Sequence, residues 1–258
     1  LDPPHHEALI LPAAIAETAR HHGCASVAMT YNDPVVFFEF AADVADACHR
    51  LDIRTVAVTA GYLTKAARPA FFRLFDAANV DLKAFSPRFY RELCKAELST
   101  VLETLVYIKE HTSLWLELTT LLIPGENDSD QELHALTKWI TEELGPDTPV
   151  HFTAFHPDYC LLDRPATPLR TLRRAREVAK ANGLRHVYIG NCSDEEGETT
   201  FCTHCHQPLI KRDRYAITHF ELMPDGTCPK CHTRLIGHFQ SKPGGFGNQR
   251  IPVTMTPI

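Results

Sequence analysis

The chain has no long apolar run. Nowhere do 18 apolar residues follow one another, which excludes a membrane-spanning helix. Positive charge is scarce as well. Lys and Arg number 26 against 32 Asp and Glu, a formal net charge of −6, which argues against broad, non-specific binding to nucleic acid. No Ser-His-Asp arrangement and no HExxH stretch is present, so the usual signatures of a triad hydrolase and a zinc protease are missing. Leu1–Pro4 has no signal-peptide character. The chain starts with Leu rather than Met and reads as a piece whose beginning lies upstream.

Cysteine, by contrast, is plentiful. Of the nine, four form two CxxC pairs, Cys202-Thr-His-Cys205 and Cys228-Pro-Lys-Cys231, separated by 22 residues. Each pair can wrap a metal in a tight knuckle, and two pairs supply the four thiolates of a closed tetrahedral site. Zinc is the first expectation and iron the second, because tetrathiolate sites accept both and also suit iron–sulfur clusters. A closed site builds structure, so catalysis belongs elsewhere. His204, His206 and His232 crowd the knuckles and read as surrounding groups beside a complete four-sulfur set. The other five cysteines (Cys24, Cys48, Cys94, Cys160 and Cys192) show no paired spacing. They read as small buried hydrophobes in a reducing, cytoplasmic compartment.

From Leu11 to about Asn191 the chain alternates between helical and strand patterns. Strands are predicted at Ala25–Thr30, Ile53–Thr59, Asn79–Lys83, Leu114–Ile123, Val150–Phe155 and His186–Gly190. Helices fall between them, at 12–22, 35–51, 65–77, 87–95, 100–111, 129–143 and 168–182, with Ser129 and Glu132 in capping-box spacing and Gly183 at a helix end. Strand–helix–strand repeats mean βαβ units and a parallel sheet. Six strands fall short of the eight units of a complete barrel, so the pattern fits a partial barrel or a doubly wound sheet. The first element is a helix with no strand before it. A crossover helix joins two strands, so a strand is expected on the N-terminal side. Three regions follow: residues 1–195 as the α/β domain, 196–240 as a zinc-ribbon-like module entered through a polar linker, and 241–258 as a Gly- and Pro-rich tail. The tail is ordered where it lies along the ribbon or the barrel.

In parallel α/β folds ligands gather beyond the carboxyl ends of the strands. Those ends carry Asn32-Asp33-Pro34, Thr59-Ala60-Gly61, Asp81-Leu82-Lys83, Pro124-Gly125-Glu126-Asn127 and His156-Pro157-Asp158. Asp33 and Asp81 suit an amino group or a cation, Gly61 permits close approach to the backbone, and His156 can hydrogen-bond or stack on a heterocycle. Each also has a plainer role. Asp33 before Pro34 is a common helix entry, Pro124-Gly125 a turn, and Lys83 a solvated lysine.

Taken in order, Thr30-Tyr31-Asn32-Asp33-Pro34, Asn79-Val80-Asp81-Leu82-Lys83, Glu117-Leu-Thr119-Thr120-Leu-Leu-Ile-Pro124-Gly125-Glu-Asn127-Asp128, Phe155-His156-Pro157-Asp158-Tyr159 and Tyr188-Ile-Gly190-Asn191 resemble the AmmeMemoRadiSam-system radical SAM enzymes. These are relatives of the pyruvate formate-lyase activating enzymes, and the two CxxC pairs fit the same family. The resemblance spans roughly residues 8–235. It implies a partial (βα)6 TIM-like barrel, here lacking its first strand, with a four-cysteine metal ribbon behind it. It implies S-adenosyl-L-methionine held on a 4Fe-4S cluster. By the resemblance, Asn32, Asp33, Thr59, Gly61, Asp81, Lys83, Thr119 and His156 face that cofactor. Asp33 would meet the methionyl amino group where the family has Glu, and Ala60 replaces the family's Asn. The cluster loop CxxxCxxC occurs nowhere in the 258 residues, so the resemblance implies a fragment that lacks its cluster-binding N-terminus and is inactive alone. Partners implied are a protein or peptide substrate, Memo-like and AMMECR-type proteins and an external electron donor.

Two other readings compete. A catalytically inactive barrel could carry the ribbon as a nucleic-acid or protein binding module, with Lys211-Arg212-Asp213-Arg214 as the basic stretch; its plainer role is a solvated hairpin tip. A metal- or phosphate-dependent aldolase-like barrel predicts a Schiff-base lysine or metal ligands at strand ends, and Lys83 is the only lysine so placed.

Overall fold

The computed structural model describes residues 10–245, 247–248 and 252–253. Leu1–Pro4 and most of the last dozen residues lie outside the described set. Six strands, β1 (Ser26–Met29), β2 (Arg54–Thr59), β3 (Ala77–Asp81), β4 (Trp115–Leu122), β5 (Val150–Ala154) and β6 (Val187–Gly190), form one sheet in the order β1-β2-β3-β4-β5-β6. Every pairing is parallel. Unbroken sequential order has no point at which the winding reverses, so the doubly wound alternative is excluded. The helices are α1 (Pro12–His21), α2 (Phe38–His49), α3 (Arg68–Phe72), α4 (Pro87–Phe89), α5 (Leu98–His111), α6 (Asp130–Trp139) and α7 (Leu169–Ala181).

Side chains alternate across a strand, and here the alternation is unequal. Leu116, Leu118, Thr120 and Leu122 of β4 are buried, as are Ala78 and Val80 of β3, Phe152 of β5 and Ile189 of β6. They pack in one continuous core with Val44, Phe71, Leu105, Leu136 and Leu172 from the helices. The opposite face is half-exposed and polar: Asn79 and Asp81, Glu117 and Thr119, His151, then Tyr188. Register places these in rows, Asp81 beside Thr119, Thr119 beside His151, and His151 beside Tyr188.

Several boundaries differ from the sequence expectation. The third strand is Ala77–Asp81 rather than Asn79–Lys83, because the chain turns at once after Asp81, with Leu82 N–H donating to the Val80 carbonyl at 3.1 Å. The helix expected over 65–77 shrinks to α3. Helix α4 widens into a π-turn at Tyr90–Cys94, closed by Lys95 in the left-handed region, and α6 does the same at Ile140–Leu144, closed by Gly145. The Ser129 cap forms, its Oγ accepting from Glu132 N–H at 3.2 Å. Glu132 does not complete the box, since its Oε1 accepts from Phe85 N–H at 2.6 Å and ties α6 to the loop after β3.

A second, antiparallel sheet follows: β7 (Thr200–Phe201), β8 (Pro208–Asp213) and β9 (Ala216–Phe220), in the order β7-β8-β9. It has its own small core of Cys202, Leu209, Ile210, Leu222, Cys228 and Leu235. The segment before it, expected as a polar linker, is docked along the β6 edge. Gly197 accepts from Ile189 N–H at 3.0 Å, Glu196 pairs with the buried Arg176 at 2.8 Å, and Glu195 pairs with Lys211 at 2.8 Å. A side chain at Gly197 would meet Ile189 Cβ at 2.7 Å, so only glycine allows that approach. In the tail, Asn248 Oδ1 accepts from Tyr215 N–H at 2.8 Å and Ala216 N–H at 3.1 Å, fastening it to the β8–β9 turn.

Candidate functional site

The rim at the carboxyl ends of the strands brings most of the sequence candidates together. The Asp33 carboxylate, just after β1, accepts from Thr59 Oγ1 at 2.9 and 3.1 Å, from Ala60 N–H at 2.8 Å and from Val35 N–H at 3.1 Å. Thr59 Oγ1 in turn accepts from Gly61 N–H at 3.1 Å. Asp33 therefore clasps β1 to the turn after β2. It does not cap α2, which begins only at Phe38 without a side-chain cap. Gly61 sits at φ +67, buried against Val80.

One strand further, Lys83 Nζ donates to Asp81 Oδ2 at 2.8 Å, with both side chains about a third or more exposed. The backbone beneath this pair is fixed from three sides. Tyr90 OH accepts from Lys83 N–H at 3.1 Å, and Thr120 Oγ1 donates to the Leu82 carbonyl at 2.7 Å. Asn127, 2% exposed, donates from Nδ2 to the carbonyls of Lys83 and Leu121 at 2.7 and 2.9 Å and accepts from Ile123 N–H at 2.7 Å. In the sequence Asn127 belongs to a motif but shows no role; here it locks the β4 exit to the β3 exit. Replacing it with Ala strands these groups in the interior. We expect Asn127→Ala to lower unfolding free energy by about 2 kcal/mol, read from a urea midpoint. A shift within a few tenths would remove the locking role.

Thr119 Oγ1 donates to Asn79 Oδ1 at 2.9 Å on the half-exposed face. Asn32 and His156 are placed differently from the rest. Both are solvent-exposed, at the β1 and β5 exits, and neither side chain has a hydrogen-bond partner among the described residues.

The four ribbon cysteines do converge. Their sulfurs all lie within 4.8 Å of one another, with Cys202 to Cys231 at 3.5 Å and Cys205 to Cys228 at 3.7 Å. Sulfurs about 2.3 Å from one zinc at tetrahedral angles stand roughly 3.8 Å apart, so the set fits a single ion. An iron–sulfur cluster interposes several atoms and would spread them. The two knuckles repeat one geometry. Cys202 N–H donates to the Gln207 carbonyl at 2.8 Å and Cys228 N–H to the Thr233 carbonyl at 2.9 Å. His206 and His232 occupy the matching left-handed positions, at φ 58 and 60, outside the four-sulfur group. Hydrogen bonds from Thr233 bring the Cys231 thiol down to about 5, as suits a metal-ligating thiolate. Among the described residues this is the one group of three or more close metal-ligating side chains. With no CxxxCxxC in the sequence, these residues offer no seat for a 4Fe-4S cluster on the sheet.

A third feature was not foreseen. On the inner face His151 Nε2 meets Glu117 Oε2 at 2.8 Å, and Trp115 Nε1 donates to Glu117 Oε1 at 2.9 Å. Although burial opposes its ionisation, those bonds hold the Glu117 carboxyl below its ordinary value. The His151 ring stacks on Tyr188, centroids 5.1 Å apart, and Tyr188 OH shares a hydrogen bond with Thr200 Oγ1 at 2.9 Å. Arg212 lies over the Tyr188 ring at 5.6 Å and donates to Thr200 Oγ1 and the Glu198 carbonyl at 2.9 and 3.1 Å. Arg212 is thus engaged inward and Lys211 pairs with Glu195, whereas Asp213 and Arg214 are exposed at the β8–β9 turn. Trp115, Glu117 and Thr119 share one face of β4, and ribbon residues complete that row.

His186, 6% exposed, has an Nε2 without a partner among the described residues. Burial, aided by the charge of Arg185 and opposed by Asp147 and Glu117, lowers its basicity below the ordinary 6.5. A lowered folded value means that the unfolded chain takes up the proton first. Stability is then full above about pH 6.5 and declines as pH falls through the lowered folded value. We expect thermal midpoints to drop between about pH 7 and about pH 5, and His186→Leu to flatten that limb. An identical limb in the variant would show that another group carries it.

Comparison with known proteins agrees with this architecture. The Radical SAM superfamily profile matches residues 4–137. An uncharacterized protein of Methanocaldococcus jannaschii is 40% identical over 201 residues, 78% of this chain and 59% of that protein, so the chain spans about three-fifths of the relative's length. Among solved structures, a domain of pyruvate-formate lyase-activating enzyme from Bacteroides vulgatus superposes with a TM-score of 0.57 at 15% identity, covering 65% of this chain and 99% of that domain. Streptococcus suis SuiB superposes at 0.58 with 14% identity, covering 72% of this chain and 45% of SuiB. SuiB has also been solved bound to S-adenosylmethionine and to its precursor peptide SuiA. Sequential parallel strands, a polar carboxyl rim and a profile match over half the chain converge: this protein belongs to the radical SAM superfamily.

Proposed function

We propose that the chain is the S-adenosylmethionine-facing part of a radical SAM enzyme of the activase-like AmmeMemoRadiSam kind, its sheet forming a partial (βα)6 barrel around the polar inner face. The observation that carries this is the placing of Thr59, Gly61, Asp81 and Lys83 on adjacent carboxyl ends of a sequential parallel sheet, with Thr119 beside Asp81. Thr119, Asp81 and Lys83 would hold the cofactor's polar groups, and the Gly61 backbone would let it approach closely. The Asp33 carboxylate already accepts from three donors, so its part is to shape the Thr59–Gly61 turn. Bound S-adenosylmethionine would supply a 5′-deoxyadenosyl radical for hydrogen abstraction, with an external electron donor. The cluster ligands are assigned to residues outside these 258. The barrel's own residues orient the cofactor and keep water from it.

A protein or peptide substrate is favoured, in keeping with the fold shared with SuiB, which binds a precursor peptide. Memo-like and AMMECR-type proteins are proposed as associates, and the compartment as a reducing cytoplasm. Among the described residues no helix is long and apolar enough to cross a membrane. The domain division at about residue 195, a zinc ion at the four cysteines and the tail beyond residue 240 complete the proposal. Titrating S-adenosylmethionine into the isotopically labelled chain tests it: amide shifts should saturate at Gly61, Lys83 and Thr119. Shifts confined to the ribbon, or none, would end the assignment.

A further inference from the structure

Between the inner face of β4–β6 and the ribbon lies a cavity of about 890 Å³ that reaches the β6 exit at Gly190, Asn191 and Cys192 but is lined by none of the rim candidates described above. Its size falls within the range of small-molecule sites, roughly 300–1,000 Å³. The walls are aromatic on both sides: Trp115 and Tyr188 from the sheet, Phe220 and Phe239 from the ribbon. The charges facing it are unequal. The Glu117 carboxylate is hydrogen-bonded to His151 and Trp115, and the Glu198 carboxylate accepts from the backbone N–H groups of Asp194 and Arg214. Arg212, Arg214 and Lys242 face the same space, and among the described residues none has a carboxylate within ion-pair distance. Three cations thus face two hydrogen-bonded carboxylates, an excess of positive charge that favours an anion in the cavity. Arg212 is the best held of the three. Two hydrogen bonds and the Tyr188 ring fix its guanidinium, and a planar fork pre-ordered in this way loses little on gripping an oxyanion.

We propose that this cavity is a binding site for a small organic anion, a carboxylate or phosphate ester on a planar aromatic body, gripped by Arg212 with Lys242 at the mouth. The site shares no lining residue with the Asp33, Gly61 and Asp81–Lys83 group and does not rest on the reading of that group. It is half sheet and half ribbon, so its occupant would join the two.

The test uses the full metal-loaded chain at low ionic strength, with tryptophan emission reporting on Trp115. Phenyl phosphate and benzoate should bind saturably, phenol not at all, and inorganic phosphate at least tenfold more weakly than phenyl phosphate. Arg212→Gln should weaken phenyl phosphate at least tenfold, and Lys242→Glu several-fold. Lys242 is exposed, so this second variant keeps the test open even if Arg212→Gln disturbs folding. Phenol binding as tightly as the anions would overturn the site. So would unchanged affinity in Lys242→Glu and in a natively folded Arg212→Gln, or the absence of saturation by either aromatic anion.

Discussion

Stripping the metal from the four cysteines is expected to unfold the ribbon while the six-stranded sheet keeps its structure. The ribbon's core contains only six buried residues, two of them the ligands Cys202 and Cys228. A unit so small rarely holds together without a staple. Sulfurs within 4.8 Å of one another aggravate this once the ion is gone. Cys205 illustrates the conflict: despite the Gln207 N–H bond that pulls it down, burial and the other three sulfurs push its thiol up to about 12. Apparent metal-binding free energies for such sites are on the order of 10 kcal/mol and act as folding free energy. Cys228→Ser should therefore abolish the ribbon's own unfolding transition. Chelation should open residues 196–240 to protease while leaving the sheet resistant. Metal analysis is expected to give one zinc per chain without acid-labile sulfide. Unchanged amide protection of the ribbon after chelation would refute the stapling role.

That loss should be felt on the sheet. Thr200 and Arg212 cover the Tyr188 phenol, and burial raises its pKa. With the ribbon unfolded the phenol should titrate closer to its ordinary value of 10.

How far the sequence could foretell this depends on where each signal lives. The βαβ beat is local, so strand number and parallel pairing were legible. The CxxC spacing is local too, and the sulfurs met as expected. The extent of α3 was not legible, because the helical pattern after Lys65 continues past Phe72, where α3 ends, to Asp76, which lies outside the helix and accepts from Thr55 N–H of β2 at 2.8 Å. The roles of Asn127 and Arg212 were not legible for one reason. A buried polar side chain shows its role only through partners, and theirs lie 44 and 12 residues away, at the Lys83 carbonyl and Thr200. Exposed His156 marks the opposite case, a suggestive strand-end position whose side chain has no hydrogen-bond partner among the described residues.

Gly61→Ala is expected to be the most damaging single methyl group at the rim. At φ +67 the backbone lies in the left-handed region, which costs an L-residue about 1–2 kcal/mol. The added Cβ would also stand 2.8 Å from Val80 Cγ1. Val80 is fully buried between strand neighbours and cannot swing away, so overpacking adds about 1–3 kcal/mol. Gly125 provides the control. It has φ +81 but nothing within 4 Å of its would-be Cβ, so Gly125→Ala should show the backbone cost alone. Urea unfolding of both variants separates backbone strain from crowding, with Gly61→Ala lower by about 2–5 kcal/mol in total. The strain should also pull the Gly61 N–H from Thr59 Oγ1 and slacken the Asp33 clasp, so the S-adenosylmethionine shifts proposed for the rim should weaken in step. If Gly61→Ala proves no worse than Gly125→Ala, the chain at Gly61 is not held against Val80, and the rim is looser than this packing requires.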